Sequence, residues 1–278
     1  MIKLIATDLD GTLLNIFHTT DNYILRTIDK VLDNDMVFVI ATGRSMHEDQ
    51  YERLFGNRKI YRIINNGSLI YNLEHDIIFE KTIDKETINE ILSLFPNQAF
   101  SFISKNRTLV NAPEKDFIEA LGTQQKLVER IFHKVTLEFL VGNEYDATHH
   151  QILDEEIIKI NCRINDLDTR KRFKEYVNNN RKIVNKPFSE GMFEITHSDV
   201  NKANALKFLL KELNIEESQV ATFGDGGNDI ELLYEFENSY APKGANLEAR
   251  SAAKNTIGHN SNYAVPRKIR QLIRKNGR

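Results

Sequence analysis

Two acidic clusters carry most of the chemistry available to this sequence. The first is Asp8-Leu9-Asp10-Gly11-Thr12, at the end of a short β-rich run over residues 2–7. Side chains alternate along an extended chain, so Asp8 and Asp10 project to one side at the strand's carboxyl end. Alone, such a pair reads equally well as the decoration of a turn. The second cluster is Gly224-Asp225-Gly226-Gly227-Asn228-Asp229, which follows an apolar run at 220–223 and opens a predicted helix. A parallel sheet would bring Asp225 and Asp229 to one edge. Several carboxylates at one place repel and raise one another's pKa unless a cation neutralises them. An all-oxygen set selects a hard ion, and Mg2+ characteristically takes one or two carboxylates while keeping waters and substrate oxygens. The expected metal is therefore Mg2+. The glycine-rich spacing does not match the twelve-residue calcium loop of helix-loop-helix sites.

Two further elements suit an anion. Thr42-Gly43 follows an apolar run at 36–40, where the N–H groups opening a helix favour negative charge and the hydroxyl adds a donor. By itself the pair is equally an ordinary helix cap with a glycine turn. Lys202 stands near the start of a helical pattern at 201–213 and could supply the point charge that phosphoryl transfer needs. A single lysine there is normally a solvated surface residue, and only its order among the other elements raises it.

The elements that must position these residues follow from periodicity. The run at 2–7, then Ile24, Ile28, Val31 and Leu32 at helical spacing, then the run at 36–40 read as strand, helix, strand. Such a crossover joins parallel strands, and ligands in such sheets bind beyond the strands' carboxyl ends. A third strand at 61–64 leads through Asn65-Asn66-Gly67-Ser68 into a hairpin over 69–71 and 76–79. From about residue 84 the texture changes. Helical segments at 84–95, 113–121 and 168–179 alternate with strand-like 99–103, 135–140, 157–164 and 182–184, without a catalytic-looking cluster. After the breakers Pro187 and Gly191, the run 192–196, a helix at 201–213, a strand at 220–223 and a helix at 229–236 resume the α/β pattern. The reading is a core, residues 1–83 and 188–278, interrupted by an inserted domain at 84–187.

Composition bounds the possibilities. The 278 residues suffice for one large domain or two smaller ones, with 41% hydrophobic and 28% charged residues. No run approaches the roughly 18 apolar residues of a membrane span, and the opening residues lack the order of a secretory signal. A net charge of −3 gathers no nucleic acid. The basic residues after 266 alternate with Ile269, Leu272 and Ile273 at helical spacing, which describes a solvated helix face. One cysteine, Cys162, offers no intramolecular disulfide, reads as a buried thiol and fits the cytoplasm.

The order of the pieces resembles the haloacid dehalogenase superfamily, in particular its Cof-type phosphatases with a large α/β cap. Asp8-Leu9-Asp10-Gly11-Thr12-Leu13 is similar to the nucleophile motif, Thr42-Gly43-Arg44 to the second, Lys202 to the third, and Gly224 through Asp229 to the fourth. Asn66-Gly67-Ser68 and Ser239-Tyr240-Ala241 also look like family positions, and the insert falls where that cap would lie. The resemblance implies an α/β fold: a Rossmann-like parallel-sheet core with an inserted α+β cap domain. It further implies that Asp8 attacks phosphorus, and that Asp10 protonates the leaving group and then activates water. Magnesium would be held by Asp8, Asp225 and the Asp10 backbone carbonyl, with Asp229 supporting the site. Thr42, Gly43, Lys202 and Asn228 would bind phosphoryl oxygens. The chain departs from the family pattern at Ala203, where glycine is usual, and at Pro242 and Gly244, where methionine and asparagine are. The expected partner is a small phosphorylated metabolite, a sugar phosphate first, flavin mononucleotide or pyridoxal phosphate next. Nucleic acid and membrane are not expected partners, and oligomeric state is left open. Three rivals stand beside this reading. A phospho-accepting signalling domain would need a long-lived phosphoaspartate, which Asp10 opposes. A phosphotransferase or mutase could use the same core, and a catalytically idle binder would have no use for all four aspartates.

Overall fold

The structure, a computed structural model, describes residues 1–122, 142–186 and 191–277. The strand expected at 135–140 and the breaker Pro187 lie outside the described residues. The chain divides into two compact units, one of Met1–Glu80 with Val200–Arg278 and one of Lys81–Asp199.

The first unit opens with β1 (Leu4–Thr7), α1 (Asn22–Leu32), β2 (Val37–Ala41), α2 (Glu48–Phe55) and β3 (Tyr61–Ile64), then a hairpin of β4 (Leu69–Tyr71) and β5 (Ile77–Glu80). The second unit contributes α3 (Lys85–Leu94), β6 (Ser101–Ile103), β7 (Thr108–Val110), α4 (Glu114–Ala120), β8 (Asn143–Glu144), α5 (His149–Leu153), β9 (Lys159–Arg163), α6 (Leu167–Asn179), β10 (Ile183–Asn185) and β11 (Met192–His197). The chain then returns to the first unit through α7 (Lys202–Leu213), β12 (Val220–Phe223), α8 (Ile230–Glu235), β13 (Asn238–Pro242), α9 (Leu247–Ala252), β14 (Asn255–Ile257) and α10 (Ala264–Asn276).

The first unit is built on an eight-stranded sheet in the order β14-β13-β12-β1-β2-β3-β4-β5. Its strands are parallel from β14 to β3, and the β4–β5 hairpin adds an antiparallel edge. β1 and β12 lie side by side and are buried at every residue, as central parallel strands covered on both faces must be. Their carboxyl ends therefore emerge next to each other, carrying Asp8 and Gly224. Asp21 caps α1 by accepting from the backbone N–H groups of Tyr23 and Ile24, and Ile24, Ile28 and Val31 form its buried stripe. The basic tail forms α10, which buries Val265, Ile269 and Leu272 while Arg270 donates to Thr27 and lies over the Tyr23 ring. Arg267, Arg274 and Lys275 lie exposed on its outer side, while Lys268 lies over the Tyr240 ring.

The second unit has a six-stranded sheet, β10-β11-β9-β6-β7-β8, mostly antiparallel. Ile88, Ile91, Ile152, Phe173 and Val177 from its helices pack on Phe102, Ile160, Cys162, Phe193 and Ile195 from the sheet. The segment 192–196, assigned from sequence to the resumed core, is instead β11 of this sheet, pairing with β9 and β10. A lone apolar run has the same pattern in either sheet; only its partners decide. The return to the core consequently comes after Asp199.

The second unit thus has a core of its own, centred on Phe173. This ring is fully buried and meets Phe95 edge-on at 5.0 Å and Phe193 at 4.9 Å. Phe173→Ala is expected to destabilise this unit by about 3–5 kcal/mol. Denaturant unfolding checks this, and a loss under about 1 kcal/mol would contradict the packing described.

Candidate active site

β1 ends in a wide turn over Leu9–Leu13, in which Leu14 N–H returns to the Leu9 carbonyl and Gly11 adopts φ 74°. The turn sends Asp8 inward and Asp10 toward solvent. Asp8 is buried, and its backbone N–H is held by the Phe223 carbonyl at the end of β12. A Cβ on Gly11 would stand 2.1 Å from Asp225 Oδ2, so the loops after β1 and β12 approach as closely as only glycine permits. Thr12 Oγ1 donates to Asp225 Oδ1 at 2.6 Å across that approach.

Behind these carboxylates lies Lys202, at the first turn of α7 and fully buried. Its Nζ donates to Asp8 Oδ1 at 2.7 Å and to Asp229 Oδ1 at 2.6 Å. The second Asp229 oxygen accepts from the backbone N–H groups of Asp225 and Gly226, both at 2.9 Å. Asp229 thus fixes both the lysine and the loop bearing Asp225. Asp8, Asp225 and Asp229 each offer an oxygen within 4.8 Å of the others.

One ammonium does not balance this set. Burial drives the Asp8 pKa well above the ordinary carboxylate range; Lys202 opposes it, while Asp229, Asp225 and Asp10 add to it. Burial likewise pushes Asp225 up to about 6, against the Thr12 hydrogen bond and with help from the Asp229 charge. Burial disfavours the Lys202 ammonium, but Asp229 and Asp8 outweigh that and hold its pKa above the usual lysine value. A cluster with surplus negative charge, all-oxygen donors and close spacing fits a hard divalent cation.

Asp10 belongs to a different set. Arg44 grips its carboxylate with two 2.6 Å hydrogen bonds, from Nε to Oδ2 and Nη2 to Oδ1, and His18 Nδ1 lies 2.6 Å from Oδ1. Burial raises the Asp10 pKa, yet the Arg44 hydrogen bond and charge and then His18 overcome it, leaving the group below its ordinary value. The carboxylate of Asp10 is not among the three clustered ones. Its share in holding a metal would come through the backbone carbonyl.

The remaining expected residues converge from both sides of β1, Thr42 and Gly43 from the loop after β2 and Asn228 from the loop after β12. Thr42 is buried at the end of β2, its hydroxyl accepting from Arg44 N–H at 3.1 Å and its carbonyl from Asn66 N–H at 3.0 Å. Asn228 Nδ2 donates to Asn66 Oδ1 at 2.9 Å, and a Cβ on Gly43 would lie 2.8 Å from that oxygen and 3.3 Å from Asn228 Nδ2. Gly43, Asn66 and Asn228 therefore form one packed corner. Ser239 accepts from Lys254 N–H at 3.0 Å, and Ala203 is packed among Leu206 and Leu209. Neither reaches the carboxylates. Sequence reasoning left Thr12, Arg44 and Asn66 without roles and missed His18, which comes to Asp10 through a tight turn. Asn15 Oδ1 accepts from the N–H groups of Phe17 and Thr19, and His18 takes φ 57°. An Asn with Thr four residues later, beside a nucleophile-like motif, is the only local signal of that turn.

A profile of the haloacid dehalogenase-like hydrolases matches residues 5–269, and the chain belongs to this family. It is 27% identical over 276 residues to the 5-amino-6-(5-phospho-D-ribitylamino)uracil phosphatase YbjI of Escherichia coli, covering 95% of this chain and 93% of that one. Among solved structures, a haloacid dehalogenase-like hydrolase from B. subtilis superposes with a TM-score of 0.82 at 22% identity, covering 98% of this chain and 100% of the other. TM0651 from Thermotoga maritima superposes with a TM-score of 0.76 at 20% identity, covering 98% and 97%. Both structural likenesses extend over nearly the whole chain.

Lys202 is the counter-charge on which the buried carboxylates depend. Lys202→Met in metal-free buffer is expected to cost about 3–5 kcal/mol of stability, the usual consequence of leaving a buried charge unpaired. A melting curve unchanged from the parent chain would contradict the ion-pair geometry.

Proposed function

We propose that this phosphoric monoester hydrolase is Mg2+-dependent, passes through an aspartyl phosphate on Asp8, and acts on small phosphorylated metabolites in the cytoplasm. The observation that carries the reading is the meeting of Asp8, Asp225, Asp229 and Lys202 at the carboxyl ends of β1 and β12, one turn from Asp10. Asp8 and Asp225 carboxylates and the Asp10 carbonyl would hold the metal, and Asp229 braces them from behind. When bound, the ion neutralises the clustered charge and that of the transferring group.

In the first step an Asp8 oxygen attacks phosphorus, the bond from phosphorus to the leaving oxygen breaks, and Asp10 gives that oxygen its proton. In the second, Asp10, now a carboxylate, takes a proton from water as the water oxygen attacks phosphorus and the bond to Asp8 breaks. The contacts from Arg44 and His18 favour the carboxylate form that this step uses. Lys202, Thr42, Gly43 and Asn228 would bind phosphoryl oxygens, Lys202 as a point charge shared with Asp8.

All of these residues belong to the first unit, so the second is free to serve as a selective cap. A lid that excludes water and reads the leaving group favours small soluble esters over polymers. Sugar phosphates come first, with flavin mononucleotide and pyridoxal phosphate next. The named activity of the Escherichia coli relative, on a ribitylamino-pyrimidine phosphate, supports a metabolite of that size. Net charge of −3 gives no support to a nucleic-acid substrate, and among the described residues no helix is long and apolar enough to cross a membrane. A phosphotransferase on the same core would pass phosphate to an added sugar instead of releasing it, and measuring both products separates the two.

Hydrolysis of a sugar phosphate is expected to stop in excess EDTA and return with Mg2+. Undiminished turnover in chelator would overturn the metal assignment. Asp10→Asn is expected to lower kcat by about 10²–10⁴, the range of general acid/base groups, with the fold retained. A loss under threefold would remove Asp10 from the reaction.

A further inference from the structure

The turn between β3 and β4 holds three consecutive residues in left-handed backbone, Asn65 at φ 50°, Asn66 at φ 61° and Gly67 at φ 109°. Asn65 and Asn66 are both buried. Such backbone is costly for residues other than glycine and persists where surrounding contacts over-determine it, characteristically at functional sites. Here the contacts run to three loops of the site. Asn65 N–H donates to the Arg44 carbonyl at 3.0 Å, its Oδ1 accepts from Ser45 Oγ at 2.5 Å, and Asn66 N–H donates to the Thr42 carbonyl at 3.0 Å. A Cβ on Gly67 would stand 2.6 Å from the carbonyl oxygen of Asn201, the residue that caps α7 ahead of Lys202. The third loop is reached by a side chain, Asn66 Oδ1 accepting from Asn228 Nδ2 at 2.9 Å.

A side-chain amide can present either end, and only its nitrogen end donates. Phosphoryl oxygens accept, so Asn228 is useful to them in one orientation alone. Both ends of its amide are placed here. The nitrogen faces Asn66 Oδ1, and the oxygen turns back on its own loop, where a Cβ on Gly226 would stand 2.8 Å from it. One N–H is spent on Asn66, and the second N–H of the same nitrogen is what Asn228 has to offer. We propose that Asn66 is a positioning residue for phosphoryl binding: its amide oxygen fixes which end of the Asn228 amide meets the phosphoryl group, and the turn at 65–67 holds that oxygen in place. Asparagine meets three demands at this position. It tolerates left-handed backbone, it supplies an acceptor opposite Asn228 Nδ2, and it adds no charge to a site already rich in carboxylates.

This inference rests on the phosphatase reading above and deepens its phosphoryl site. The test uses the full chain with Mg2+ and a double-mutant cycle over positions 66 and 228, read as KM on p-nitrophenyl phosphate and as Ki for inorganic phosphate. Asn66→Gly keeps the left-handed backbone and removes the amide; it is expected to raise both constants about tenfold, as Asn228→Ala does alone, since each forfeits a hydrogen bond to a charged group. In the Asn66→Gly chain, Asn228→Ala is expected to add less than twofold. Asn66→Ala, which also removes the acceptor, serves if the glycine variant does not fold. In Asn66→Asp, which keeps an acceptor and tolerates the turn, Asn228→Ala should still cost about tenfold. Multiplying effects of the two deletions, as independent structural roles would give, would overturn the proposal. So would an Asn228→Ala effect that vanishes in Asn66→Asp. In both of those cases, hydrolysis by the parent chain leaves the phosphatase reading standing. A parent chain that neither hydrolyses the ester nor binds inorganic phosphate would defeat that reading and this inference with it.

Discussion

The site is organised by a shortage of positive charge. One ammonium, Lys202, serves two carboxylates, and a third, Asp225, offers an oxygen within 4.8 Å of theirs without an ion-pair partner among the described residues. Everything around them manages that imbalance. Asp229 spends its second oxygen on two backbone N–H groups, which commits it to structure. Thr12 supplies Asp225 with a neutral hydrogen bond, and burial still drives Asp8 and Asp225 upward. A set with this surplus of negative charge is poised to gain from a divalent cation, and electrostatic stabilisation is the main resource of phosphoryl transfer.

Bringing like charges so close demands a scaffold that cannot relax. β1 and β12 are central, parallel and buried, and hydrogen-bonded to one another along Leu4 to Thr7 and Val220 to Phe223. Their following loops are then sealed by contacts that leave no room for a side chain, Gly11 against Asp225 and Gly224 against Asp229. Asp10 is segregated by the same turn that buries Asp8, and Arg44 and His18 hold it in a second electrostatic environment. Two carboxylates two residues apart thereby acquire opposite pKa shifts, Asp8 upward through burial and Asp10 downward through Arg44 and His18.

Much of this was legible in the sequence because it is local. The alternation around Asp8 and Asp10, the glycine-rich turn before Asp229 and the helical stripe of α1 each follow from spacing within a few residues. The parallel core was legible too, since strand-helix-strand order dictates it. What was hidden depends on contacts distant in sequence. Residues 192–196 read as a core strand, but their partners, 159–163 and 183–185, place them in the second sheet. Lys202 looks like any surface lysine at the start of a helix, and only the fold brings it against Asp8, 194 residues away in sequence. His18 reaches Asp10 through a left-handed turn held by Asn15.

The claim on which the account stands is that phosphate passes through Asp8. The most direct measurement is an acid-quenched reaction with radiolabelled sugar phosphate in Mg2+, followed by borohydride reduction and peptide mapping. The account predicts a transient label on the peptide that begins the chain, with homoserine recovered at position 8 and neither product from Asp8→Asn. Phosphate release at full rate without a label there, or homoserine at position 225, would contradict it.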